Sequence, residues 1–167
     1  MSSIIVSLHD NQLSGTLPSS WSNSKIGELM LQNNLISGSL PRTWNTAIKQ
    51  IDLSNNLING TFPVEWCKLS AVYLASNLIT AIDPLVLNAS SGCSTYLLLT
   101  DNLIAGPLPE ETSSTFTVLG HSLNNSSGTL PEVIHTPTVD LSYNPVTDFS
   151  SSVQSSLSSV SLFLTGN

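Results

Sequence analysis

The sequence predicts a β-rich solenoid of class α/β, in which short coils stack along one axis. One frame recurs eight times: an apolar residue, any residue, Leu, two further residues and Asn. His121 replaces the Leu in the sixth copy, and Pro follows seven positions after the Asn in the first six copies. The spacings between successive Asn residues run from 20 to 25. Because coils of such a period pack only on their neighbours, eight copies suffice to bury a continuous interior.

Each element of the coil follows from this frame. The apolar-x-Leu core predicts a strand of about three residues, and parallel stacking of the strands predicts one sheet of eight on the concave side. The Asn should turn the chain inward and bond open backbone groups, which predicts a ladder. Its members are Asn11, Asn34, Asn56, Asn77, Asn102, Asn124, Asn144 and Asn167.

The convex side is predicted to be mostly irregular. Leu-Pro or Phe-Pro pairs follow most ladder positions and indicate an extended segment with a turn. Trp21, Trp44 and Trp66 come three residues after a Pro and are interpreted as core. Helix should be scarce, although Val153, Leu157 and Val160 have a spacing that indicates one short convex helix.

Residues 1–167 should form a single domain of about eight repeats. The first repeat begins at Val6, so we expect a fragment that lacks both caps. Uncapped terminal coils should fray or associate end to end, which small-angle scattering would detect.

Charge disfavours two classes of partner, and hydropathy predicts no membrane-spanning segment. All four basic residues lie within the first 68 positions, and seven acids follow without an opposing base. This makes nucleic acid or an anionic membrane surface an improbable partner. No apolar run approaches the roughly 20 residues of a membrane span.

Residues for catalysis, a cofactor or a metal site do not converge. His9, His121 and His135 lie far apart in the stack, and neither a metal-ligand cysteine spacing nor a phosphate loop occurs. We therefore expect no enzyme, no cofactor and no metal. His121 takes the second core position of its repeat, so a buried, hydrogen-bonded residue is favoured over a pH sensor.

The two cysteines occupy nearly equivalent convex positions on adjacent coils. Cys67 lies ten residues before Asn77, and Cys93 lies nine before Asn102. Coils about 5 Å apart permit a disulfide, which is favoured over two buried thiols. A disulfide would indicate an oxidising compartment.

Four glycosylation sequons are consistent with that compartment. Asn59, Asn88 and Asn125 fall in predicted turns and could carry a glycan. Asn124 is a ladder residue and should face inward, which excludes a glycan there.

The repeats resemble a known family in the stretches "NNLISGSLPRTW" and "NNLINGTFPVEW". These look like the plant-type leucine-rich repeat, LxLxxNxLxGxIPxxL, of receptor-kinase ectodomains and polygalacturonase-inhibiting proteins. Serine-rich repeats with GTLPxxW are also similar to kinetoplastid surface glycoproteins of the surface-antigen and proteophosphoglycan type, which is the closer resemblance. It implies a secreted or cell-surface location and extracellular recognition or surface display, with no active-site residues.

Three functions remain open at this stage. The first is a recognition or adhesion module that binds protein or glycan on its concave strand face. The second is a structural spacer or coat segment of a larger surface protein. The third, by analogy with the plant inhibitors, is an inhibitor of secreted glycan hydrolases.

The candidate ligand-binding surface follows from side-chain alternation along each strand. Outward positions in repeats four to seven gather large apolar residues, whereas earlier repeats show mostly polar ones. Coverage by a neighbouring chain explains such a patch equally well. The predicted ligand-binding residues, with Tyr73 and Tyr96 as anchors, are Tyr73, Tyr96, Leu98, Val118, Leu123 and Tyr143.

Overall fold

A computed structural model describes most of the chain. The described residues are 4–44, 47–86, 93, 95–107, 111–112, 118–130, 133–134, 136–149 and 160–167. The short helix predicted around Val153 and Leu157 lies outside them, as do Asn88 and His135.

Seventeen strands and two 3-10 helices make up the regular structure of these residues. The helices are Ser19–Asn23 and Val64–Lys68. In chain order the strands are β1 (Ile4–Ser7), β2 (Ser14–Thr16), β3 (Ile26–Met30), β4 (Leu35–Ser39), β5 (Gln50–Asp52), β6 (Leu57–Phe62), β7 (Ala71–Tyr73), β8 (Leu78–Ile82), β9 (Tyr96–Leu98), β10 (Ala105–Pro107), β11 (Glu111–Thr112), β12 (Val118–Gly120), β13 (Asn125–Leu130), β14 (Val133–Ile134), β15 (Thr138–Asp140), β16 (Val146–Phe149) and β17 (Ser161–Phe163).

The eight predicted repeat strands form one parallel sheet, in the order β1-β3-β5-β7-β9-β12-β15-β17. The two apolar residues of each repeat point inward; Ile51 and Leu53, for example, are completely buried. The residue between them is half-exposed in most strands. The predicted alternation is therefore confirmed, and it defines an outer face of this sheet, which we call the strand face.

The extended segments after the ladder positions also pair with one another. They form parallel sheets β2-β4-β6-β8, β10-β13-β16 and β11-β14. The sequence indicated extended backbone at these positions but not its pairing. Pairing follows where similar coil lengths bring a segment alongside the equivalent segment of the next coil. Among the described strands it is interrupted between β8 and β10, at the longest spacing between ladder positions, from Asn77 to Asn102.

The Asn ladder joins each coil to the one before it. The Asn56 amide donates to the Leu31 carbonyl of the preceding coil at 3.0 Å and to its own Leu53 carbonyl at 3.1 Å. Its Oδ1 accepts from the Ile36 N–H at 2.9 Å. Equivalent bonds recur at Asn34, Asn77, Asn102, Asn124 and Asn144. Each amide thus satisfies buried backbone groups on two coils.

The tryptophans stack on the side opposite the strand face. The Trp44 and Trp66 rings lie 5.3 Å apart and nearly parallel, and Trp21 continues the stack at 6.3 Å. Each of two indole N–H groups donates to a proline carbonyl of the preceding coil, Trp44 to Pro18 and Trp66 to Pro41. Their interpretation as core residues is confirmed, since Trp66 is 1% exposed and the other two pack against the core.

The expected disulfide joins Cys67 and Cys93, whose Cα atoms are 4.5 Å apart. Both cysteines are buried in the core beside Trp66 and Leu69. The disulfide therefore links the third and fourth coils within the hydrophobic interior.

The first coil exposes residues that are buried in later coils. Leu8 is 42% exposed, whereas the equivalent Leu31 is 2% exposed. The difference arises because no described coil covers the open edge of β1. End-to-end association through this edge stays a prediction. No helix in the described ranges is long and apolar enough to cross a membrane.

Candidate functional site

The middle of the strand face carries a continuous outward column. Strand register places its members side by side on five successive coils, as Asp52 beside Tyr73, Tyr73 beside Leu98, Leu98 beside Gly120 and Gly120 beside Asp140. We call this set the outer column: Asp52, Tyr73, Leu98, Gly120 and Asp140. All but Gly120 are half-exposed, so their side chains are available to a partner.

Tyr73, Tyr96 and Leu98 form a compact apolar surface, here the tyrosine patch. The Tyr73 and Tyr96 ring centroids are 5.6 Å apart with the planes inclined at 45°. Tyr73 lies directly beside Leu98 in the sheet, and Tyr96 lies beside Ala71. The rings therefore meet diagonally across β7 and β9, within the spacing at which aromatic side chains on neighbouring strands interact.

Leu98 extends the patch toward the sixth coil. A Cβ on Gly120 would lie 2.5 Å from Leu98 Cδ2, so the leucine side chain occupies the space above this glycine. The absence of a side chain at Gly120 is what permits that close approach. The result is a smooth apolar surface from Tyr73 to the backbone of β12.

The other three predicted ligand-binding residues are placed differently. Val118 pairs with Tyr96 in the sheet, but its side chain lies outside the described part of the structure. Leu123 and Tyr143, the edge pair, lie in the turns after β12 and β15, where they are 48% and 54% exposed. They flank the strand face and do not continue its columns.

The edge pair occupies an unusual backbone conformation. Leu123 and Tyr143 have φ of 54° and 57°, in the left-handed region. The equivalent residues of the first five coils have the same conformation but are Asp10, Asn33, Asn55, Ser76 and Asp101. Bulky side chains in this region are uncommon. Because seven coils share this turn, the conformation belongs to the repeat, and the edge pair differs from the other five residues in carrying a large, exposed hydrophobic side chain there.

The acidic ends of the outer column share one local geometry. Oδ1 of Asp52 accepts from the N–H of Ser54 at 2.9 Å, and Oδ1 of Asp140 accepts from the N–H of Ser142 at 3.0 Å. Each bond fixes one carboxylate oxygen in a turn that closes the strand. Both acids open an Asp-Leu-Ser tripeptide, which ends at Ser54 and Ser142, and this shared sequence is the signal that could have indicated the common orientation.

His121 is buried in the core, as predicted. Its side chain is 4% exposed, and its Nε2 lies 2.7 Å from the Ser126 Oγ. Nδ1 has no hydrogen-bond partner among the described residues. Desolvation by burial lowers the pKa of His121 from 6.5 to about 4, which keeps the ring neutral at physiological pH.

The described residues offer no group of three or more His, Cys, Asp and Glu side chains that could hold a metal ion. What the strand face presents is apolar and aromatic surface with fixed carboxylates. This chemistry suits non-covalent binding of a partner.

Comparison with known proteins bears on the fold first. The Leucine Rich Repeat family model matches residues 4–24 and 47–69. The chain folds as a leucine-rich repeat solenoid. No curated protein matches it.

Solved leucine-rich repeat structures extend this likeness. The plant peptide hormone receptor RGFR1 in complex with RGF2 is similar over 95% of this chain, with TM-score 0.74 and 25% identity. The ectodomain of the receptor kinase GASSHO1/SCHENGEN3 from Arabidopsis thaliana, in complex with CASPARIAN STRIP INTEGRITY FACTOR 2, is similar over 83%, with TM-score 0.57 and 26% identity. The chain spans only 27% and 21% of these two structures.

A third structure shows the same fold. The Arabidopsis receptor kinase HAESA, in complex with the peptide hormone IDA and the co-receptor SERK1, is 23% identical over 85% of this chain and 26% of its own, with TM-score 0.67. The leucine-rich repeats and the likeness to plant receptor ectodomains together support a plant-type leucine-rich repeat protein.

Proposed function

We propose that this leucine-rich repeat chain is an extracellular recognition module that binds a protein or peptide through its strand face. The tyrosine patch is the observation that carries this proposal. It places two contacting aromatic rings and Leu98 on an exposed sheet. Aromatic side chains are enriched among the residues that dominate binding energy at protein interfaces.

The structural relatives support a protein ligand over a glycan. The plant peptide hormone receptor RGFR1 has been solved in complex with RGF2, and the leucine-rich repeat ectodomain of GASSHO1/SCHENGEN3 in complex with CASPARIAN STRIP INTEGRITY FACTOR 2. Adhesion and surface display, as in the kinetoplastid glycoproteins with GTLPxxW repeats, are finer forms of the same proposal. Inhibition of secreted glycan hydrolases rests on analogy with the plant inhibitors alone, and an activity screen would test it.

A spacer or coat segment is the alternative from another class. A spacer requires only soluble residues on the strand face, as the first three coils largely provide with Glu28, Gln50 and Asp52. The tyrosine patch and the exposed hydrophobic edge pair exceed that requirement. They favour recognition over a purely structural role.

An extracellular location is part of the proposal. The Cys67–Cys93 disulfide is typical of proteins that mature in oxidising compartments. Asn59 and Asn125 lie in strands β6 and β13 and not in the turns predicted for them, but both are exposed at their sequons. Asn124 is 9% exposed and donates its amide to the Leu99 carbonyl.

Glycans should follow this difference in exposure. In protein secreted from a eukaryotic host, we expect peptide mass spectrometry to find them at Asn59, Asn88 or Asn125 and none at Asn124. The Asn124 amide is committed to the ladder, so occupancy there would show that the repeat register is wrong.

The tyrosine patch is tested with peptides selected from a random display library against the wild-type chain. Replacing Tyr73 or Tyr96 with alanine should make the binding free energy of the selected peptides less favourable by roughly 1 to 3 kcal/mol per truncation, as measured by calorimetry. Met30→Ala is the matched control, because Met30 is half-exposed in the same outward position two coils before Tyr73. Unchanged affinity in the double tyrosine variant would remove the strand face from the proposal.

A further inference from the structure

The outer column carries two acids with only uncharged residues between them, and the uncharged Met30 and Phe163 continue the same line of outward residues beyond Asp52 and Asp140. Asp52 and Asp140 lie on the third and seventh coils, separated by Tyr73, Leu98 and Gly120. Four steps between neighbouring strands place the two carboxylates about 19 Å apart. The apolar centre and the two acids therefore form one linear surface along the stacking axis.

Both acids are oriented in the same way. In each, one oxygen bonds the backbone N–H two residues later, at 2.9 Å for Asp52 and 3.0 Å for Asp140. Both side chains remain half-exposed. A carboxylate held in this way loses little further freedom when a cation binds, which favours binding.

The chain supplies few cations of its own to this surface. The sequence contains no Lys or Arg after Lys68, so the Asp140 end has no basic residue on its own or any later coil. Arg42 is held by Glu65 at 3.4 Å and Asp83 at 3.2 Å. Lys49, which precedes Asp52 by three residues, is the base nearest in sequence to either acid. The charge of the outer column is thus complementary to a cationic partner.

We propose that the outer column takes an extended peptide with a basic residue at each end and apolar residues between them. The proposal rests on the recognition function given above. In an extended chain, residues six apart lie about 20 Å from each other and point to the same side. Two basic side chains at that spacing match the Asp52–Asp140 separation, while the intervening apolar side chains of that side contact Tyr73 and Leu98.

The probe is the capped heptapeptide acetyl-Lys-Ser-Leu-Ser-Leu-Ser-Lys-amide. It is compared with the same peptide in which Glu replaces Lys at both the first and the seventh positions. Calorimetry at low ionic strength should show at least roughly tenfold tighter binding of the Lys peptide, and added salt should weaken it. A third peptide, with the second Lys moved to the fourth position, should bind more weakly because it reaches only one acid.

Matched variants test the two acids. Asp52→Asn and Asp140→Asn keep the Oδ1 acceptor for the Ser54 and Ser142 N–H groups, so they remove charge without opening the turns. Each variant should bind the Lys peptide with about fivefold lower affinity than wild type. Asp148→Asn, an exposed acid on β16 outside the outer column, should leave the affinity unchanged.

The outcomes separate this inference from the recognition function. Equal binding of the Lys and Glu peptides, or equal affinity in the Asp52, Asp140 and Asp148 variants, would overturn the cationic preference. In that case the recognition function would still stand if the double tyrosine variant lost its affinity for the library-selected peptides. If neither the heptapeptides nor any library-selected peptide bound, both would fail.

Discussion

Asn77→Ala is expected to lower the free energy of unfolding by about 3 kcal/mol, since it removes the buried amide between the third and fourth coils. Oδ1 of Asn77 accepts from the Ile58 N–H at 2.9 Å, and its amide donates to the Leu53 carbonyl at 2.9 Å and the Leu74 carbonyl at 3.1 Å. Ile58 is completely buried, so its N–H would be left in the interior without an acceptor. A buried, unsatisfied backbone group costs more than the lost bond alone.

Urea unfolding monitored by circular dichroism measures this loss. Asn59→Ala is the control, because Asn59 is exposed on the adjoining strand β6 and its truncation should stay within about 0.5 kcal/mol. Hydrogen exchange should also accelerate first at the Ile58 amide, since each coil is stabilised by its neighbours. Equal losses in the two variants would mean that the ladder is not a major source of stability.

His121 is expected to make the chain less stable by about 3 kcal/mol when the pH falls from about 7 to about 4. Its pKa in the folded chain is about 4, below the ordinary value of 6.5. The unfolded chain therefore binds more protons between these values. This contribution to stability is complete above pH 6.5, is lost as the pH falls and does not change further well below pH 4.

The double variant His121→Leu with Ser126→Ile isolates this effect. Other coils carry Leu and Ile at these two positions, as with Leu99 and Ile104, and both of those are buried. Over the same pH range, the free energy of unfolding should fall by about 3 kcal/mol less in the double variant than in wild type. The carboxylates that titrate in this range are common to both proteins, so the difference reports His121. The single variant His121→Leu should be less stable than the double variant, since it leaves the buried Ser126 hydroxyl without its partner. Identical pH profiles for wild type and double variant would contradict a buried, neutral His121.

Much of this architecture could be predicted from the sequence because the repeat period is nearly constant. The spacing of the Asn residues predicted eight stacked strands, and strand alternation predicted which residues face outward. The same spacing placed Cys67 and Cys93 on adjacent coils, close enough for the disulfide. These are properties of position within a coil, which the order of residues determines.

Contacts between coils required the tertiary structure, because they depend on register and rotamer as well as on position. The tilted contact of Tyr73 with Tyr96, the placement of Leu98 above Gly120 and the bond from His121 to Ser126 are of this kind. Coil lengths between 20 and 25 residues leave the register of each neighbour open by several residues. Backbone hydrogen bonding across the sheets selects one register, and that choice decides which outward side chains meet.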